Sequence, residues 1–150
     1  IEEADLSQQV LDWLHAFESD PQRQLVLDYG WDICSEYQNK LSEQDYGWLA
    51  LMAKRDRNEV QWVGLEHDSD GHALLAPDMA AAVTDLADRK IVAAALAALA
   101  DGQHCQISNA CDTDWLDCKD ALAGAGLAVE HLLPDWIAAR WRRKHGTGRK

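Results

Sequence analysis

Residues 88–141 read DRKIVAAALAALADGQHCQISNACDTDWLDCKDALAGAGLAVEHLLPDWIAARW, and the fold turns on how this stretch divides. Its opening, DRKIVAAALAALADG, has the composition of an alanine-rich helix, with Gly102 placed to stop it. QISNACDTDWLDCKDALAGAG reads as a second helical segment ended by Gly124 or Gly126. In LAVEHLLPDWIAARW two short apolar runs flank a Pro134-Asp135 turn, the pattern of a hairpin.

Helix, helix, then hairpin is the order of a winged helix. The expectation is therefore a mostly α fold with a small β element, helical in its N-terminal half and winged-helix-like in its C-terminal half. In a DNA-reading winged helix, the second helix of the pair presents Arg, Lys, Asn or Gln to the major groove. Here that segment carries Asp112, Asp114, Asp117 and Asp120, with Lys119 alone against them. Phosphate would be repelled, so these four carboxylates are assigned to a protein partner.

Charge is divided along the chain. The net charge is -12, yet residues 140–150 contain six bases and no acid. The body, residues 1–139, is thus about -18 and is expected to be one mainly helical domain, with 140–150 a flexible basic tail. General affinity for nucleic acid or anionic membrane is excluded by the body. Arg140, Trp141, Arg142, Arg143 and Lys144 are the candidate nucleic-acid contacts, where Trp136 and Trp141 have the ring faces on which bases stack. Closing the core is the competing role for both rings. The longest apolar stretch, Ile91 to Ala100, is ten residues, too short to cross a bilayer, and a soluble cytoplasmic protein with no membrane partner is expected.

Upstream, Leu6, Val10, Leu11, Leu14 and Phe17 fall on one helical face, giving a helix over residues 6–18. Asp20-Pro21 starts a second, to about Asn39, with Leu25, Val26, Tyr29, Ile33 and Tyr37 at helical spacing and a bend at Gly30. Leu41-Ser42-Glu43-Gln44-Asp45-Tyr46 has the form of a capped start for a third, residues 43–55. The stretch SEYQNKLSEQDYGWLALMAKR resembles the short helical hairpin, with an LSEKQ-type turn and a following Trp-Leu pair, that recurs in phage and plasmid proteins handling nucleic acid. Gln-Asp stands where Lys-Gln is usual. The resemblance implies a neighbourhood and no catalytic group.

VQWVGLE, the turn formers HDSDGH and the apolar ALLA predict a small hairpin, to which LAVEHLL would add a third strand. Pro77-Asp78 starts a further helix, broken near Asp85, Asp88, Arg89 and Lys90. No internal repeat is evident.

Chemical motifs are few. Glu66-His67-Asp68-Ser69-Asp70-Gly71 opens like a calcium loop, but Pro77 stands where the bidentate glutamate belongs, so a solvated turn is expected. His104, Cys105, Cys111 and Cys118 are the residue types that hold zinc, without the short knuckle spacing that brings two thiolates to one ion. No metal and no cofactor is expected, and the thiols are read as reduced and largely buried. The chain is read as a non-enzymatic accessory or regulatory binding protein of a bacterial or mobile-element complex that handles nucleic acid. Two alternatives stand beside it: an acidic inhibitor imitating nucleic acid, and a small metal or thiol enzyme using His104 and the cysteines.

Overall fold

The computed structural model describes residues 4–41 and 45–146. The elements in chain order are α1 (Ala4–Ser19), β1 (Leu25–Asp28), α2 (Asp32–Lys40), α3 (Tyr46–Asp56), β2 (Val60–Val63), α4 (Pro77–Ala82), a 3-10 turn (Leu86–Asp88), α5 (Arg89–Ala100), β3 (Gln106–Asn109), α6 (Asp114–Asp117), α7 (Lys119–Gly124), β4 (Ala128–His131) and α8 (Pro134–Gly146). The fold is mixed α+β, mostly helical with two small sheets.

Both sheets are two-stranded and parallel. β1 pairs with β2, Leu25 opposite Val60, and β3 pairs with β4, Gln106 opposite Ala128. A parallel pair needs a crossover, and each pair takes it through two helices: α2 and α3 in the first, α6 and α7 in the second. The chain thus builds the same β-α-α-β unit twice, although its sequence shows no repeat.

The units share a device at the end of their first strand. Asp28 is buried, and its carboxylate accepts from the backbone N–H groups of Asp32 (2.8 Å) and Ile33 (2.9 Å). Asn109, also buried, accepts from the N–H of Asp112 (3.0 Å) and donates to the Asp112 carbonyl (2.8 Å). Its amide also lies 3.1 Å from Nδ1 of His131, an imidazole held below its usual pKa by burial and by Lys119. A buried polar side chain thus satisfies donors that the strand-to-helix turn would otherwise leave open.

α5 joins the units. Its alanines let backbone approach on two sides: Val92 and Ala95 enter one core with Met79, Ile107, Trp115 and Leu122, while Ala94 and Ala98 enter the other with Leu27, Ile33, Val60 and Val63. α5 packs on β1, β2 and β3. It ends at Gly102 and α7 ends near Gly126, both at positive φ (84° and 88°), with Gln103 and Leu127 donating back to Ala98 and Leu122.

Several expectations are corrected by this arrangement. The winged-helix order does not form: β3 lies where the second helix was expected to begin, and Pro134 starts α8 rather than turning a hairpin. LAVEHLL contributes β4, which pairs with β3 and not with the VQWV strand. The expected hairpin after β2 is reduced to one antiparallel bridge, His67 to Ala73. The second helix begins only at Asp32, because LVLD is β1 and Trp31 adopts a left-handed φ of 68° that interrupts helical continuation. The capped start at residues 42–44 lies outside the described residues. α1, α5 and the Pro77 start fall where the sequence places them.

Candidate functional site

The acidic residues converge. Asp85 caps the 3-10 turn, its carboxylate accepting from Ala87 N–H at 2.9 Å, and Asp88 stands at the head of α5. From the other unit, Asp112 accepts from the N–H of Asp114 at 2.9 Å at the entry to α6. Carboxylate oxygens of Asp85, Asp88 and Asp114 come within 4.8 Å of one another. Partial burial, followed by Asp85, Asp112 and Asp114, pushes the Asp88 carboxyl up to about 7, with Lys40 opposing. Asp114 is raised for the same reasons, burial first and then Asp112 and Asp85. Asp117 on α6 also acts on Asp114, and Asp120 is exposed on the next helix, α7.

This crowding has a consequence for stability. A carboxyl whose pKa is higher folded than unfolded makes the fold tighter while protonated, and that advantage is lost as pH rises from about 4 through 7. Asp88→Asn should therefore match the parent near pH 4 and gain on it up to pH 7, levelling above. With screening of this half-exposed group, the gain is on the order of 1 kcal/mol, roughly 2–4 °C. Thermal melts across pH 4 to 8 read it directly, and a constant difference between the two proteins would contradict it.

The basic candidates occupy α8. Residues 140–146, expected as a flexible tail, are the last turns of this helix, and 147–150 lie outside the described residues. Ile137 anchors the helix in the core, Trp141 Nε1 donates to Asp117 at 2.8 Å, and Lys144 Nζ reaches Thr113 Oγ1 at 2.9 Å. Trp141 also packs on His145, with ring centroids 4.3 Å apart, and His145 lies 3.4 Å from Asp117. The Arg140 guanidinium sits 5.4 Å from the Trp136 ring centroid. Arg140, Arg142, Arg143 and Lys144 are exposed, whereas Trp141 is half-buried and hydrogen-bonded to the acidic face. Opposite charges that are far apart by composition are thus neighbours in space.

Two further features escaped sequence reasoning. His67 Nε2 lies 2.5 Å from Asp32 Oδ2, on the wall of a polar cleft of about 450 Å3 that Ser35, Glu36, Asn39, His72 and Lys90 also line. A carboxylate-held imidazole is half of a catalytic set. Among the described residues no hydroxyl or thiol bonds to its other nitrogen. Nothing local signals the pair, since 35 residues separate its members. Glu36 in the same wall is partly buried, which works against ionisation, but Lys40 and Lys90 hold its carboxyl below the usual range.

The second is a cavity of about 540 Å3 between the two units. α1 forms one wall through Val10, Trp13, Leu14 and Phe17, and β1 and β3 contribute Val26, Gln106 and Ser108. Because its apolar face opens on this space, α1 has no buried residue.

The remaining chemical candidates are placed apart. All four cysteines are free; burial raises the Cys105 and Cys118 thiols, and burial with Asp28 pushes Cys34 up to about 11, while Cys111 is exposed. No potential metal grouping among the described residues includes His104 or a cysteine. In the HDSDGH segment, Asp68 accepts from the N–H groups of Asp70 and His72 to close the turn, and Gly71 takes φ 85°. Ligand-type atoms of Asp68, Asp70 and His72 lie within 4.8 Å of one another there. No helix among the described residues is long and apolar enough to cross a membrane.

No protein-family model matches the chain, and neither the curated proteins nor the solved structures contain a match.

Proposed function

We propose that the protein acts by binding rather than by chemistry, as an accessory or regulatory factor of a bacterial or mobile-element complex that handles nucleic acid. The observation that carries this is the convergence of Asp85 and Asp88 with Asp114, two acidic segments distant in sequence that meet at a cost in electrostatic repulsion. A basic protein surface would relieve that repulsion, and complementary charge speeds and orients such encounters. Asp112, Asp114, Asp117 and Asp120 are assigned to this partner. Arg140, Arg142, Arg143 and Lys144 on α8 are assigned to phosphate; Trp141 supports the helix through Asp117. A reducing, cytoplasmic setting suits four free thiols.

The test is fluorescence anisotropy with labelled single- and double-stranded DNA and RNA at low and moderate salt. Truncation at Ala139 would remove the Trp141 and Lys144 anchors along with the charge, so charge reversal is the cleaner change. Arg140→Glu with Arg142→Glu should abolish a salt-sensitive complex formed by the parent, with a weaker salt slope for each lost phosphate contact. Absence of binding by the parent at any salt would remove nucleic acid from the proposal. The same acidic face favours a second function, imitation of the phosphate backbone to block a basic channel. That function predicts that the double reversal leaves binding to the basic partner intact.

A further inference from the structure

The cavity between the units has the walls of a small-molecule site. Its volume, about 540 Å3, falls within the range of ligand pockets, and its surface is mainly apolar side chains with a smaller polar share. It lies where the chain passes from one parallel pair to the other, beside the C-terminal end of β3 and the loop Ala110–Asp112 that follows.

The polar share is specific in sign. Glu36, Asp88 and Asp112 line the cavity against Lys40 alone, and Lys40 is held by Glu36 at 2.7 Å. Carboxylate oxygens of Asp85 and Asp114, which do not line it, lie within 4.8 Å of that of Asp88. Tyr37 and Asp88 both line this space, and Asp88 is among the charges that act on the Tyr37 hydroxyl. Trp13, Tyr37 and Trp115 supply aromatic surface. Carboxylates beside aromatic walls suit a cation better than an anion or a neutral polar group.

We propose that this cavity binds a small organic amine on an apolar or aromatic body, with Asp88 receiving the ammonium and Tyr37 accepting a second hydrogen bond. The proposal does not rest on the protein-partner function above, because it concerns the space beneath α1, although Asp88 and Asp112 belong both to its lining and to the acidic face. Burial with the surrounding Asp85, Asp112 and Asp114 keeps part of the Asp88 population protonated at neutral pH, against the opposing Lys40. The bound ammonium favours the ionised form, so affinity rises between pH 6 and 8, while Glu36 stays paired with Lys40 and Lys90.

The experiment uses the full chain and two probes with the same aromatic body, 3-phenylpropylamine and 4-phenylbutyrate, titrated by calorimetry and by tryptophan fluorescence. The amine is expected to saturate below about 1 mM and the carboxylate not to bind in that range. Asp88→Asn, which removes charge repulsion and should fold at least as well, is expected to weaken the amine at least about tenfold. Asp101→Asn, exposed at the far end of α5 and outside the cavity lining, should leave its affinity unchanged. Failure of the amine to saturate by about 5 mM, equal binding of the two probes, parental affinity in Asp88→Asn, or an equal loss in Asp101→Asn would each overturn the proposal.

Discussion

Replacing Lys54 by Met is expected to remove about 2–4 kcal/mol of stability, the cost of the charge-assisted hydrogen bonds that its buried ammonium makes. The Lys54 side chain is 0% exposed, and its ammonium is fully used. It donates to the carbonyls of Asp20 (2.7 Å) and Arg23 (2.5 Å), pairs with Glu59 at 3.0 Å, and lies 4.8 Å from the Phe17 ring centroid. One side chain on α3 therefore ties the α1–β1 connection to the segment entering β2. Methionine fills much of the volume but leaves the Arg23 carbonyl without this donor, while the Asp20 carbonyl keeps the Arg23 N–H and Glu59 keeps Arg57. Urea unfolding is the measurement, with a fall in midpoint at unchanged slope. A variant within about 1 kcal/mol of the parent would show that water replaces the ammonium at small cost.

The second large effect is expected at Asp28, where alanine should cost about 2–4 kcal/mol, from one buried and one partly buried N–H group left without an acceptor. The penalty is concentrated because the same turn holds Trp31 at positive φ, a conformation a bulky residue adopts only when its surroundings fix it. Asp28→Asn should cost less, since one carbonyl oxygen remains to accept from Asp32 or Ile33. An alanine variant as stable as the asparagine variant would mean that the cap contributes little and that packing around Leu27 and Ile33 holds the turn.

These residues also mark where the sequence was legible. α1 and α5 were readable because long amphipathic or alanine-rich runs set a helical period, and Pro77 marks the start of α4 and Gly102 the stop after α5 locally. β1 was not, because LVLD is a four-residue apolar run that periodicity alone cannot distinguish from a turn of helix. The interruption that separates it from α2 depends on Trp31, whose residue type does not advertise a left-handed backbone. β3 and β4 were missed as partners because a parallel pair is joined through the two helices between them, whereas the Pro134-Asp135 dipeptide offers a nearer and misleading turn.

The site was legible only in its chemistry. The acid cluster 112–120 and the bases 140–144 are plain in the sequence, but the meeting of Asp85 and Asp88 with Asp114 and the anchoring of Trp141 on Asp117 depend on tertiary packing. That anchoring is why the expected tail is a helix. The Asp32–His67 pair and the cavity behind α1 depend on the two-unit arrangement and leave no local trace.

The assignment of the acidic face to a basic partner is most directly tested with a labelled decalysine peptide, titrated by anisotropy at low and moderate salt. The parent is expected to bind in a salt-sensitive manner. A variant with Asp112, Asp114, Asp117 and Asp120 changed to Asn should bind at least about tenfold more weakly, while Arg140→Glu with Arg142→Glu should bind no less tightly than the parent. Equal affinity of the parent and the fourfold Asn variant would contradict the assignment.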